Sequence, residues 1–272
     1  MNGHPRPLSR DSQALLDQCE WPALQAPYDD ALRQAVAFIL DHVSDVIAIV
    51  ACGSILRGNP SASSDLDIYV LREKLERQRV QRWFNGVPAE IFINPPGQVQ
   101  KYIDQERQDG RPITAHMLAT GQVVLALGDT LSELQALAKD ALSAHPDPSA
   151  ERLVTARYMA ALRFEDATDI WEAQPEAAKM ILNIAVYDML RYYYLEANHF
   201  FPRDKDLLVA LETLDPHLSD LAQRYYSESS PDCIIDIAHQ IADHTIKIFG
   251  FFEWESAPET VTLRDDKQVD HT

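Results

Sequence analysis

Three carboxylates lie within two apolar stretches of β-forming residues. Asp65 and Asp67 belong to Ser64-Asp65-Leu66-Asp67-Ile68-Tyr69-Val70, and Glu90 to Val87-Pro88-Ala89-Glu90-Ile91-Phe92-Ile93. Successive side chains of a strand alternate faces. Asp65 and Asp67 therefore share one face, and Leu66, Ile68 and Val70 fill the other. On the second stretch Glu90 and Phe92 share a face while Ala89, Ile91 and Ile93 pack away. Acids on buried strands are costly unless something positive sits among them. If the two strands are neighbours, the three acids make a hard-oxygen cluster suited to one or two Mg²⁺ ions. Two such ions, about 3.5–4 Å apart, can clamp the attacking and leaving oxygens of an in-line displacement. Asp-x-Asp alone is also common on strands that face water, so the surrounding sequence has to decide.

A glycine turn lies just upstream. Gly53-Ser54-Ile55-Leu56-Arg57-Gly58 follows the apolar run Val46–Ala51, which reads as a buried strand. Backbone N–H groups in such a turn can cradle phosphate oxygens. Gly53 permits close approach, Ser54 adds a hydroxyl, and Arg57 can neutralise phosphate charge. The Gly-x-x-x-x-Gly spacing is not a P-loop, because Asn59-Pro60 stands where Lys and Ser or Thr are required. Taken alone, this is an ordinary connection between two elements.

These residues need a sheet to position them. Apolar residues three and four apart predict a helix over Tyr28–Val46. Strands are expected at Val46–Ala51, Asp65–Leu71, Arg79–Phe84 and Val87–Ile93, with Asn85-Gly86 as the hairpin turn. Helices are expected at Val99–Gln108, Ile113–Thr120 and Leu131–Ala144, and a further strand at Val123–Leu127. His145-Pro146-Asp147-Pro148 breaks the chain. Beyond it the texture is helical: Ala150–Trp171, Glu176–Asn198, Asp204–Leu214, His217–Ser227 and Cys233–Phe249. The expected fold is α+β, an N-terminal mixed sheet flanked by helices (residues 1–145) with an all-α C-terminal bundle (146–256). The polar stretch 257–272 is expected to be disordered.

Composition narrows the classes. Across 272 residues, Lys and Arg number 24 against 42 Asp and Glu, a formal charge of −18. Such a surface repels long nucleic acid and anionic membranes, and attracts cationic small molecules or basic partners. Cys19, Cys52 and Cys233 are odd in number and widely spaced, which indicates neither a disulfide framework nor a zinc site. A cytoplasmic location is expected, since Met1–Arg10 is polar and unlike a signal peptide and no apolar run is long enough to span a bilayer.

The ordered combination is specific: a strand, Gly53-Ser54, a loop, Ser64-Asp65-Leu66-Asp67 in a strand, then Glu90 in a later strand. It resembles the polymerase-β-type nucleotidyltransferase superfamily. The resemblance implies that Asp65, Asp67 and Glu90 are catalytic and bind Mg²⁺, and that Gly53, Ser54 and Ser64 hold the phosphates of ATP. Ile55 departs from the Arg found in many members, and Arg57 stands near enough to replace that charge. The second half, with Phe201-Pro202-Arg203-Asp204-Lys205-Asp206 after a Tyr-rich helix, is similar to the helical domains of aminoglycoside adenylyltransferase-like proteins. That likeness implies a basic residue reaching the triphosphate, with Lys205 first and Arg203 second. The implied activity is transfer of AMP from ATP to a hydroxyl of a small, cationic acceptor. The alternatives are a protein- or tRNA-modifying, toxin-like nucleotidyltransferase and a non-catalytic nucleotide-binding module.

Other residues have plainer readings. Tyr187, Tyr192, Tyr193 and Tyr194 read as core packing, and Glu165, Asp166, Asp169 and Asp188 as a solvated helix face, with a general-base role as the sharper option. His116 reads as a core or surface histidine in a helix next to the first domain's core, with contact to the active site as the sharper option. Asp236, His239 and Asp243 share one helix face, without a nameable fourth ligand for a metal.

Overall fold

The structure is a computed structural model and describes residues 9–258. The stretch expected to be disordered therefore lies, from residue 259 on, outside the described residues. The chain forms two compact units. One runs to Pro148 and includes Ala197–Pro202; the other comprises Ser149–Glu196 and the chain from Arg203 on.

The first unit is built on a five-stranded sheet: β1 (Val46–Cys52), β2 (Leu66–Arg72), β3 (Gln78–Phe84), β4 (Val87–Asn94) and β5 (Gln122–Ala126). Their order across the sheet is β3-β4-β2-β1-β5. β2 and β4 are parallel, and every other pair is antiparallel. β1 and β2 read as nearly continuous apolar runs because both faces of these central strands are covered. Asn85 and Gly86 both have positive φ, 47° and 76°, the two left-handed positions of a tight hairpin turn.

Helices cover both faces. On one side lie α1 (Arg10–Leu16) and α2 (Tyr28–His42), with Ala31, Leu32, Ala35, Val36, Ile39 and Leu40 of α2 packed on Ile49, Ile68 and Ile91. On the other lie α4 (Pro96–Gln108), α5 (Ile113–Thr120) and α6 (Thr130–Ser143), around Val50, Cys52, Tyr69 and Leu71. Between β1 and β2 the chain makes one helical turn, α3 (Gly53–Leu56).

The second unit contains α7 (Ala150–Asp169), α8 (Pro175–Glu196), a 3₁₀ turn (Asp204–Asp206), α9 (Leu207–Leu214), α10 (Pro216–Ser227) and α11 (Pro231–His244). Ala160, Ala161 and Ala167 on α7 and Ala178 and Ala185 on α8 are fully buried. Their small side chains let two helix backbones come close. Asp215 ties this unit together. It caps α10 by accepting from the Leu218 N–H at 3.0 Å, and it accepts from Tyr193 Oη at 2.7 Å and lies 2.7 Å from His244 Nε2. Burial pushes its carboxyl upward, but those donors outweigh it and hold the group down at about 2.

Four details differ from the sequence expectation. Asp65 stands just ahead of β2 rather than within it. Helix α1 was not foreseen; its cap, Ser9 Oγ accepting from the Ser12 N–H at 3.0 Å, lies in a stretch that reads only as polar. The helix expected over Asp204–Leu214 begins as the 3₁₀ turn. The helix expected to reach Phe249 stops at His244, because Lys247 and Gly250 take φ of 57° and 96°.

Asp215→Ala is expected to destabilise the second unit by about 2 kcal/mol, combining a lost helix cap with lost side-chain hydrogen bonds. Because the folded carboxyl titrates below its unfolded value, wild type holds this advantage above about pH 4 and loses it as the pH falls towards about 2. Thermal unfolding of both proteins across that range should show the gap closing only at the acidic end.

Candidate functional site

Sheet register brings the candidate residues together. Asp67 pairs with Glu90 across the parallel β2–β4 ladder and with Cys52 across β1–β2, and Glu90 pairs with Gln81 on β3. Gln81, Glu90, Asp67 and Cys52 thus form one row across four strands, and Gly53 follows directly after Cys52. Asp65, Asp67 and Glu90 each offer a carboxylate oxygen, and these oxygens lie within 4.8 Å of one another. All three residues are half-buried.

At such separations each pair of ionised carboxylates repels by roughly 3 kcal/mol at an effective dielectric of about 20. Asp67 carries the consequence. Burial, then the charges of Asp65 and Glu90, raise its carboxyl to about 6, while Arg57 pulls the other way. The Cys52 thiol is pushed up to about 12 by burial and by Asp67, so it is a packing residue rather than a nucleophile.

Besides Arg57, a second arginine responds to this field. Arg79 on β3 forms an ion pair with Glu90, and Gln81 Nε2 donates to Glu90 Oε1 at 3.3 Å. The Arg79 guanidinium also lies 5.2 Å from the centroid of the Phe92 ring. Sequence reasoning missed this pair; the available signal was the alternation that puts Arg79 and Gln81 on one face of the hairpin partner of Glu90. One guanidinium on one acid leaves Asp65 and Asp67 facing each other. The hard-oxygen donor set therefore fits a divalent cation such as Mg²⁺.

The turn is shaped around the acids. Gly53 has φ of +89°, and a Cβ there would lie 2.3 Å from Asp67 Oδ2. Glycine is required twice over, by backbone conformation and by the carboxylate packed against it. Ser54 Oγ is 2.8 Å from Ser64 Oγ, which also accepts from the Ser61 N–H at 2.8 Å. Ser64 thus braces Ser54 by tying α3 to the loop that leads into Asp65. Arg57 is exposed at the end of α3.

The other candidates lie elsewhere. Lys205 and Arg203 belong to the second unit: Lys205 is exposed in the 3₁₀ turn, and Arg203 pairs with Asp206 at 2.5 Å. Tyr192 and Tyr194 are core residues, and Tyr193 holds Asp215. Asp188 pairs with Arg163, and Glu165 accepts from the Phe251 N–H at 3.2 Å. His116 is exposed, with Nδ1 3.2 Å from Thr120 Oγ1. His239 packs edge-on against Phe164, with ring centroids 4.8 Å apart. Among the described residues, the one group of three or more His, Cys, Asp or Glu side chains close enough to hold a metal is Asp65, Asp67 and Glu90.

No family model matches the chain, and no curated protein sequence matches it. Among solved structures, the crystal structure of a nucleotidyltransferase-like protein from Exiguobacterium sibiricum 255-15 superposes with a TM-score of 0.50. The two are 15% identical, and the match covers 80% of this chain and 73% of the other. The fold is thus nucleotidyltransferase-like: a mixed sheet with flanking helices, plus a C-terminal helical region. Among the described residues no helix is long and apolar enough to cross a membrane.

Two outcomes follow from this geometry. Gly53→Ala should push the Asp67 carboxylate aside and weaken Mn²⁺ binding by about tenfold or more, read by electron paramagnetic resonance of free Mn²⁺. Asp67→Asn should raise the melting temperature of the metal-free protein at pH 7. The raised carboxyl makes the folded state the better proton binder between its unfolded value of 3.8 and about 6, so wild type loses stability as the pH climbs through that window. The difference between the two proteins should shrink below pH 4 and shrink again when Mg²⁺ stabilises wild type alone.

Proposed function

We propose that this chain is a Mg²⁺-dependent nucleotidyltransferase that moves AMP from ATP onto a hydroxyl of a small acceptor. The observation that carries this reading is the convergence of Asp65, Asp67 and Glu90 beside the Gly53–Ser54 turn, on a nucleotidyltransferase-like fold. The formal charge of −18 favours a cationic acceptor, such as an aminoglycoside-like compound, over long nucleic acid. Three cysteines without a disulfide among them suit a cytoplasmic protein.

When bound, Mg²⁺ supplies positive charge to the phosphate oxygens as negative charge builds on them. Asp65, Asp67 and Glu90 fix the place of that charge. Gly53 lets the backbone approach a phosphate oxygen closely, and the Ser54 hydroxyl, braced by Ser64, donates to it. Arg57 adds a cation on the phosphate side. The acceptor oxygen attacks the α-phosphorus and pyrophosphate leaves opposite it, while the hydroxyl proton passes to solvent. The protein's share is to position and neutralise.

Calorimetric titration with Mg-ATP, followed by pyrophosphate release with a panel of amine-bearing alcohols, tests the reading. Wild type should bind Mg-ATP, and Asp67→Asn should bind it about tenfold or more weakly. Equal binding by both proteins would remove the metal site from the reading. Binding without pyrophosphate release from any small acceptor would favour a nucleotide-binding module, and release only with a protein or tRNA would favour the macromolecule-modifying alternative.

A further inference from the structure

Strand β3 is an outer strand of the sheet and carries an unusual residue for a surface. Trp83 is 70% exposed, although its neighbours on the opposite face are engaged. Arg82 lies over the Phe38 ring at 4.7 Å, and the Phe84 and Phe38 centroids are 5.6 Å apart. Arg79 and Gln81 instead reach Glu90. Alternation along the strand therefore places Trp83 on the face that carries the three acids.

Its level along the sheet is also fixed. Trp83 pairs with Pro88, one residue before Ala89, and Ala89 pairs with Leu66, one residue after Asp65. Trp83, Pro88 and Asp65 thus share a level, with β4 between the outer two. At a strand spacing of about 4.8 Å, the Trp83 and Asp65 backbones are about 10 Å apart. Across the site the order is Trp83 and Gln81, then Glu90, then Asp67 and Asp65, then the Gly53–Ser54 turn.

In-line displacement sets which side the acceptor uses. Pyrophosphate departs towards the turn that holds it, so the incoming oxygen must arrive from the opposite side, over β4 and β3. There the exposed indole offers a broad apolar face two strands from Asp65. An indole stacks on the C–H face of a sugar or on a heteroaromatic plane, and it attracts an ammonium group carried by such a ring. On this side Arg79 is already paired with Glu90.

We propose that Trp83 is the platform on which the acceptor lies, and that the acceptor is therefore a ring compound with a hydroxyl next to its stacked face. The proposal rests on the nucleotidyltransferase reading above and adds the acceptor's class and its route of entry.

The test uses the full chain and its tryptophan emission. Trp83 is one of four tryptophans, so its own signal is the difference between wild type and Trp83→Phe. Both proteins are first titrated with a non-hydrolysable ATP analogue and Mg²⁺ by calorimetry, which should give affinities within about twofold of each other. Kanamycin, adenosine or spermidine is then added to the loaded protein. The Trp83 signal should stay unchanged with the analogue alone and with acyclic spermidine. It should shift on adding kanamycin or adenosine, and the responding compound tells a sugar ring from a heteroaromatic one. A shift with the analogue alone assigns Trp83 to the nucleotide and overturns the proposal. So does an equal shift with spermidine, or silence with both ring compounds while the analogue binds. Failure of the analogue to bind either protein brings down the nucleotide reading itself, and the proposal with it.

Discussion

Mutual repulsion among three carboxylates is the constraint around which the first unit is arranged. Among the described residues no side chain cancels it fully: Arg79 takes Glu90, Arg57 acts on Asp67 from the end of α3, and the Asp67 carboxyl still rests at about 6. The sheet holds the acids together regardless, because Asp67 and Glu90 stand on strands whose other face is buried and Asp65 directly precedes β2. Leu66 and Ile68 beside Asp67, and Ala89 and Ile91 beside Glu90, are all within a few per cent of complete burial. Leu66, Ile68 and Ile91 each contribute about 1.5–3 kcal/mol on burial and Ala89 less, enough together to set against the repulsion. The site is thus a region held in tension by its own hydrophobic reverse side, an arrangement that fits a cation.

Glycine at position 53 belongs to the same constraint. The β1 strand ends one residue before it, and the Asp67 carboxylate fills the volume a side chain would take. The Gly53–Ser54 turn and the acid cluster are therefore a single packed object. Ser64 closes it from the other direction, joining Ser54 to the loop that delivers Asp65.

Much of this was legible in the sequence, for identifiable reasons. Alternation along Ser64–Val70 and Val87–Ile93 assigns faces without ambiguity, since slipping by one residue would bury an acid. Asn85-Gly86 marks its hairpin because few other pairs accept two positive φ values. Helical spacing in α2 follows from one buried stripe. What stayed hidden depends on contacts distant in sequence. The strand order, with β4 inserted between β2 and β3, leaves no local trace, and neither does the parallel pairing that puts Glu90 beside Asp67. The hold of Arg79 on Glu90 required that register. Helix α11 stops where Lys247 turns left-handed, a position at which lysine gives little warning. In the second unit, the grip of Asp215 on Tyr193 and His244 also joins elements distant in sequence.

The position of β3 at the rim of the sheet has an evolutionary corollary. Its side chains answer to one neighbouring strand only, while those of β1 and β2 answer to neighbours on both flanks. Exposed positions such as Gln78 and Trp83 can change with little penalty to folding, whereas Phe84 is buried in the core and Arg82 lies over Phe38. On the nucleotidyltransferase reading proposed above, drift at those exposed positions would exchange one acceptor for another while the acid cluster stays unchanged.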